Sequence, residues 1–149
     1  MAVSLATWHE IDIVSPADTT KYLGYKVGTG ELTNKNWAQR IRKIQRRLLT
    51  AIKVATSVKN RVLILNSIVL PSLLFTAIAF DLPRWAEVEL SNLYKQFLWA
   101  HATSNERCRH KVNPGILVTP KKAGGVGLVP ITVAIKTQRL KHAVVWLTQ

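Results

Sequence analysis

The chain has 149 residues, about the length of one domain, and 48% of them are hydrophobic, which provides a core and argues against disorder. Its 21 Lys and Arg residues against 8 Asp and Glu residues give a net charge of +13, so a nucleic acid or an anionic membrane surface is expected before a small-molecule substrate. A single cysteine, Cys108, excludes an intrachain disulfide and a cysteine-rich zinc ribbon.

The first 32 residues indicate extended structure. Residues 9–14 alternate weakly between polar and apolar side chains, and Lys21–Val27 is rich in Tyr, Leu and Val before a Gly28-Thr29-Gly30 turn. We predict a small hairpin or a pair of edge strands in this region.

A long amphipathic helix is predicted to follow, with Asn34 as its N-cap. Apolar side chains recur along it at helical spacings and fall on one narrow stripe at about 100° per residue. The stripe consists of Trp37, Ile41, Ile44, Leu48, Ala51, Ile52 and Ala55.

The next segment, residues 58–80, is apolar on nearly all sides. Pro71 is incompatible with a regular helix interior, so we predict a kink or a break near Val69–Leu70. The run from Val62 to Phe80 is 19 residues long, near the ~20 that cross a bilayer. Its polar residues do not share one face, and the amphipathic neighbours need a partner surface, so burial in a core is favoured over membrane insertion.

Two further helices are predicted, one from about Pro83 to His101 and one after Pro130 to about Leu147, separated by a Gly- and Pro-rich loop. The expected fold class is mainly α, a helical bundle with a small N-terminal β-hairpin or strand pair. Three segments are expected: a β segment over residues 1–32, a basic helical bundle over 33–101, and a loop with a C-terminal helix over 102–149, packed as one domain with the bundle.

Positive charge is concentrated on the first predicted helix, because nine bases and no acid lie between Thr33 and Arg61. A solvated surface normally mixes both signs of charge, so this pattern favours polyanion binding. The predicted contacts opposite the apolar stripe are Lys35, Arg42, Arg46 and Lys53, and those along one flank are Arg40, Lys43 and Arg47. The predicted auxiliary contacts are Arg107, Arg109, Lys111, Lys121 and Lys122.

Catalytic patterns are weak throughout the sequence. Glu87 and Glu89 diverge on a helix, and His101, Cys108 and His110 match no established zinc-ligand spacing. The glycine clusters lack the Lys-Ser/Thr of a phosphate-binding loop. We therefore expect no catalytic residues, no metal and no cofactor. Because no secretory or transit signal is recognisable, an intracellular location, nuclear or cytoplasmic, is expected.

Several short motifs occur in a characteristic order along residues 20–147. They are Lys21-Tyr22-Leu23-Gly24-Tyr25, Trp37 at the start of a basic helix, Leu70-Pro71-Ser72-Leu73-Leu74-Phe75, Phe97-Leu98-Trp99, Pro120-Lys121-Lys122-Ala123-Gly124-Gly125-Val126-Gly127-Leu128, and Trp146-Leu147. In this order and spacing they resemble the region that follows the catalytic palm in reverse transcriptases of non-LTR, LINE-type retrotransposons.

That resemblance implies a thumb-like helical segment that grips the template–primer duplex of an RNA-directed DNA polymerase. The catalytic aspartates of the family lie in a Tyr/Phe-x-Asp-Asp strand upstream of the matching region, and this sequence contains no Asp-Asp pair. The chain is therefore expected to be inactive as an enzyme on its own and to have the palm and fingers of such a polymerase as a possible partner.

The leading hypothesis is sequence-tolerant binding of RNA or RNA–DNA duplex. Two alternatives stay open. One is a basic membrane-associated protein with residues 62–80 inserted in the bilayer. The other is an interaction module whose bases contact an acidic protein partner.

Overall fold

The computed structural model describes residues 15–99 and 111–148, which form a mainly helical bundle with one small β-hairpin. The elements in chain order are β1 (Thr20–Tyr22), β2 (Tyr25–Val27), α1 (Thr33–Ala51), α2 (Val58–Ile64), a π-helical turn (Leu65–Val69), α3 (Leu70–Ala79), α4 (Arg84–Trp99), α5 (Pro114–Val118), a 3₁₀ turn (Lys121–Ala123) and α6 (Ile131–Leu147). The predicted fold class is confirmed. The predicted strand over residues 9–14 lies outside the described part of the chain.

The chain reverses direction in the hairpin a few residues earlier than predicted. β1 and β2 pair antiparallel, with Tyr22 opposite Tyr25, so the turn is Leu23-Gly24 and not Gly28-Thr29-Gly30. Both turn residues have positive φ, 46° and 91°, as a two-residue type I′ hairpin requires. The predicted hairpin is therefore confirmed, but its turn lies within Lys21–Val27 and not after it, because leucine at a positive φ gives no turn signal in a sequence.

Helix α1 carries the apolar stripe as predicted. Trp37, Ile41, Ile44 and Leu48 are buried, and Ala55 joins the core from the turn that follows the helix. The predicted N-cap is wrong, because the helix begins at Thr33 and Asn34 lies within its first turn, where the Asn34 N–H donates to the carboxylate of Glu31.

The apolar segment over residues 58–80 is interrupted just before Pro71, as predicted. The helical path from α2 passes through the π-helical turn and continues as α3, with Pro71 in the first turn of α3, where its missing N–H is tolerated. By length and composition this path, Val58–Ala79, could cross a membrane, yet its buried side chains contribute to the bundle core. Those side chains are Val62, Leu65, Val69, Leu70, Leu73 and Ala77.

The core lies where α1 packs against α3 and α4. Trp37 is fully buried there, and its indole Nε1 donates to the carbonyl of Asp81, 2.7 Å away, in the connection between α3 and α4. Arg61 closes the other end of the bundle, because its guanidinium donates to the carbonyls of Ala55 (3.0 Å) and Leu98 (2.9 Å).

Residues 111–129 contain more regular structure than the predicted loop. Helix α5 and the 3₁₀ turn occupy part of residues 111–129, and Asn66 fixes the segment to the π-helical turn by accepting from Val129 N–H and donating to the Gly127 carbonyl. Helix α6 then packs on α3, with Arg139 bonded to the Ala77 carbonyl and to Asp81. The predicted last helix is confirmed.

Candidate nucleic-acid interface

The solvent side of α1 is a row of cations. Lys35, Arg42, Arg46 and Lys53 are all exposed, and about 100° of rotation per residue places the three that lie within α1, Lys35, Arg42 and Arg46, on the side opposite the buried stripe. Lys53 belongs to the turn immediately after α1. All four side chains of this part of the predicted interface are therefore accessible to a ligand.

The hairpin adds a cation that the sequence analysis did not include. The pKa of the Lys43 ammonium is lowered by partial burial and then by the positive charges of Lys21, Arg40, Arg47 and Arg46. Lys21 lies on β1, whereas the other residues lie on α1. We call Lys21, Lys43, Arg46 and Arg47 the cationic cluster. Two elements therefore bring like charges close together.

Asn36 holds the hairpin in this position. Its side chain is buried, its Oδ1 accepts from Lys26 N–H at 2.7 Å, and its Nδ2 donates to the carbonyls of Lys26 (3.0 Å) and Leu32 (2.9 Å). Tyr25 adds a second attachment, because its ring stacks on Phe75 of α3 at 4.6 Å between centroids and its hydroxyl donates to the Phe75 carbonyl.

Replacing Asn36 with alanine is expected to lower the free energy of unfolding by about 1–3 kcal/mol, because the part-buried N–H and carbonyl groups of Lys26 both lose their partners. Hydrogen exchange of the hairpin amides should accelerate more than that of the α1 interior. Asn34→Ala is the control, since the side chain of the exposed Asn34 accepts from Trp85 on α4 and not from the hairpin. Equal protection of the hairpin in the two variants would contradict this role.

No internal carboxylate neutralises the cationic cluster within the described ranges. The two ion pairs between described residues are Arg84–Glu87 and Arg139–Asp81, and neither involves α1 or the hairpin. Uncompensated like charges at short range destabilise a fold, so a ligand that brings negative charge relieves an existing repulsion.

The Arg40 side chain packs against α3 and is only partly exposed. Its Nε donates to Thr76 Oγ1 at 2.7 Å, its Nη1 donates to Ser72 Oγ at 3.2 Å, and its guanidinium lies 5.4 Å from the centre of the Phe75 ring. Partial burial lowers the pKa of this guanidinium. Arg40 thus joins α1 to α3, a role that charge patterning alone does not distinguish from ligand contact.

The auxiliary cations do not join the cationic cluster. Lys121 and Lys122 are exposed on the 3₁₀ turn, in the segment that Asn66 attaches to the π-helical turn, and Lys111 is exposed before α5. None of these three is among the charges that lower the pKa of Lys43. The predicted contacts Arg107 and Arg109 lie outside the described residues.

Residues 15–99 and 111–148 contain no group of three His, Cys, Asp or Glu side chains placed to hold a metal ion. The His101, Cys108 and His110 set considered above lies outside those ranges. The predicted site residues that the structure describes on α1 therefore form a positively charged surface.

Comparison with known proteins gives no relative: no family model, curated protein or solved structure matches the chain.

Proposed function

We propose that this chain binds nucleic-acid duplex, with RNA–DNA hybrid or RNA as the ligand, by contacts to phosphates. The observation that carries the proposal is the cationic cluster, in which cations of β1 and α1 lie close together without an ion-pair partner among the described residues. Such a surface attracts a polyanion, and binding releases the counterions condensed on the phosphates.

The shape of the surface suits paired strands. A duplex presents phosphates in two rows, and α1 offers an outer row of cations (Lys35, Arg42, Arg46 and Lys53) beside the flank formed by Lys43 and Arg47. A helix placed along a groove can therefore contact both strands. Because phosphates carry no base information, this mode of binding tolerates changes in sequence.

The resemblance to the post-palm region of LINE-type reverse transcriptases supports the same ligand. In that setting the bundle acts as a thumb, holding the template–primer duplex while a separate palm carries out nucleotidyl transfer. The chain itself contains no paired aspartates, so we propose a binding role without polymerase activity of its own.

The direct test is filter binding of the full chain to RNA–DNA hybrids of equal length and unrelated sequence. We expect affinities that agree within about threefold, since phosphate contacts carry the binding. Phosphatidylserine vesicles and polyglutamate serve as competing anions of different chemistry. Tighter binding to either competitor than to every hybrid would contradict the proposal and favour a membrane or an acidic protein as the ligand.

A second expected result concerns the protonation of Lys43. Its pKa should lie below the ordinary value of 10.5 in the free protein and should rise when hybrid is added, because phosphate stabilises the ammonium form. Between the lowered pKa and 10.5 the folded chain binds fewer protons than the unfolded chain, so the Lys43 contribution to the unfolding free energy increases with pH there. Nitrogen-detected NMR of the lysine side chains measures the pKa of Lys43 with and without hybrid, and urea denaturation at several pH values measures the change in stability. An unchanged pKa with bound hybrid would exclude Lys43 from the contact.

A further inference from the structure

An open groove separates the C-terminal half of α1 from the end of α2 and the π-helical turn. Its volume is about 500 Å³, within the range of roughly 300–1,000 Å³ that is typical of ligand-binding clefts. The groove is open to solvent, and its lining residues come from helical segments on both sides. Its apolar lining consists of Leu48, Ala51, Val54, Ile64, Ile68 and Val69.

Two of these side chains are left in contact with water. Val54 is 77% exposed and Ile68 is 50% exposed, and they come from the opposite walls of the groove. Within the described ranges no other element covers them. Covering apolar surface of this kind contributes about 25 cal/mol per Å², so the groove favours an occupant with apolar side chains.

Positive side chains on the rim of the groove favour an occupant that carries negative charge. Arg46 and Arg47 line the same groove, and neither has an ion-pair partner among the described residues. The sequence from Thr33 to Arg61 contains no acid, so the α1 wall offers no carboxylate. The occupant must therefore combine apolar side chains with negative charge. A second copy of this chain, with a net charge of +13, is poorly suited.

We propose that the groove binds an acidic amphipathic helix of a protein partner. A helix can lie between the two helices that form the walls, with apolar side chains at i, i+3 or i+4, and i+7 on the floor. Asp or Glu on its flank pairs with Arg46 and Arg47. Those arginines also belong to the cationic cluster, so the partner helix and a duplex compete. The groove itself does not depend on the proposed duplex binding.

The experiment is a selection from a display library of helical peptides whose positions draw at random from Ala, Leu, Ile, Glu and Lys. The target is the full chain, treated with nuclease. We expect enriched peptides with the apolar spacing given above and with more Glu than Lys. Binding of a synthesised winner should weaken at least about tenfold in Ile68→Ser and in Arg47→Gln, the scale of a removed interface anchor.

Matched controls are Leu140→Ser, which changes an exposed leucine of α6, and Arg42→Gln, which removes an α1 cation outside the groove lining. Both should bind the peptide like the unchanged chain. Ile68→Ser should keep its affinity for RNA–DNA hybrid, which separates this proposal from the duplex proposal. Val54→Ser provides a second groove variant at a more exposed position.

Several results would overturn the docking proposal. These are failure of the library to yield groove-dependent peptides, enrichment of Lys over Glu, and equal peptide binding by Ile68→Ser and the unchanged chain. Loss of binding to phosphatidylserine vesicles in Ile68→Ser without any peptide binding would assign the groove to a membrane surface. Loss of hybrid binding in that variant would assign it to the duplex.

Discussion

Simultaneous replacement of Lys21, Lys43, Arg46 and Arg47 with glutamine is expected to lower the affinity for RNA–DNA hybrid by roughly 100-fold near physiological salt. An exposed charge pair contributes about 0.2–1 kcal/mol. Four contacts of about 0.7 kcal/mol each give roughly 3 kcal/mol, which corresponds to about 100-fold in the dissociation constant. Filter binding or fluorescence anisotropy measures the change.

A control with the same loss of charge tests whether position matters. Lys59, Arg84, Lys136 and Lys141 are exposed and lie outside the cationic cluster, and their replacement with glutamine also removes four positive charges. We expect an affinity loss of less than about tenfold, because a distant charge is screened over a Debye length of about 8–10 Å. Similar losses in the two variants would mean that net charge alone attracts the duplex.

The largest effect on stability is expected at Trp37. Replacing it with alanine should lower the free energy of unfolding by about 3–5 kcal/mol, because a fully buried indole leaves a cavity where α1, α3 and α4 meet. The carbonyl of Asp81 also loses its donor. Urea denaturation followed by circular dichroism measures the change.

Two further variants test whether the loss of stability at Trp37 comes from the burial of its ring. Trp37→Phe retains an aromatic ring but not the indole N–H, so it should lose less stability than Trp37→Ala. Trp85→Ala makes the same truncation at a tryptophan that is 39% exposed on α4 and should cost less than half as much. An equal loss at Trp37 and Trp85 would be inconsistent with the core described above.

Local patterns in the sequence predicted the helices well. The stripe on α1, the interruption before Pro71 and the helix after Pro130 all depend on spacing or on proline stereochemistry, and each is confirmed. These features are determined within one or two helical turns of chain, so they can be recognised without knowledge of the tertiary structure.

Features that depend on contacts between distant segments were not predictable. The tight turn at Leu23-Gly24 lies beside the Phe75 ring, where a Cβ on Gly24 would come within 3.4 Å of that ring. Asn36 and Arg40 look like ordinary polar residues of an amphipathic helix, yet each bonds to an element elsewhere in the chain. Composition and periodicity carry no information about such partners.

The candidate site was predictable in part. The absence of acids from Thr33 to Arg61 indicates the cationic side of α1, whereas the addition of Lys21 requires the hairpin to pack on that helix. A short connection between the hairpin and α1 was the available signal, because elements joined by few residues usually pack together.

The most direct test of duplex binding through the cationic cluster is the salt dependence of hybrid affinity in the unchanged chain and in the four-glutamine variant. The slope of log association constant against log salt concentration should become shallower by about 3.6, since each of the four lost phosphate contacts to a duplex contributes about 0.9. Hybrids of unrelated sequence should give the same change. Identical slopes for the two proteins would contradict the account, because the cationic cluster would then make no contact with phosphate.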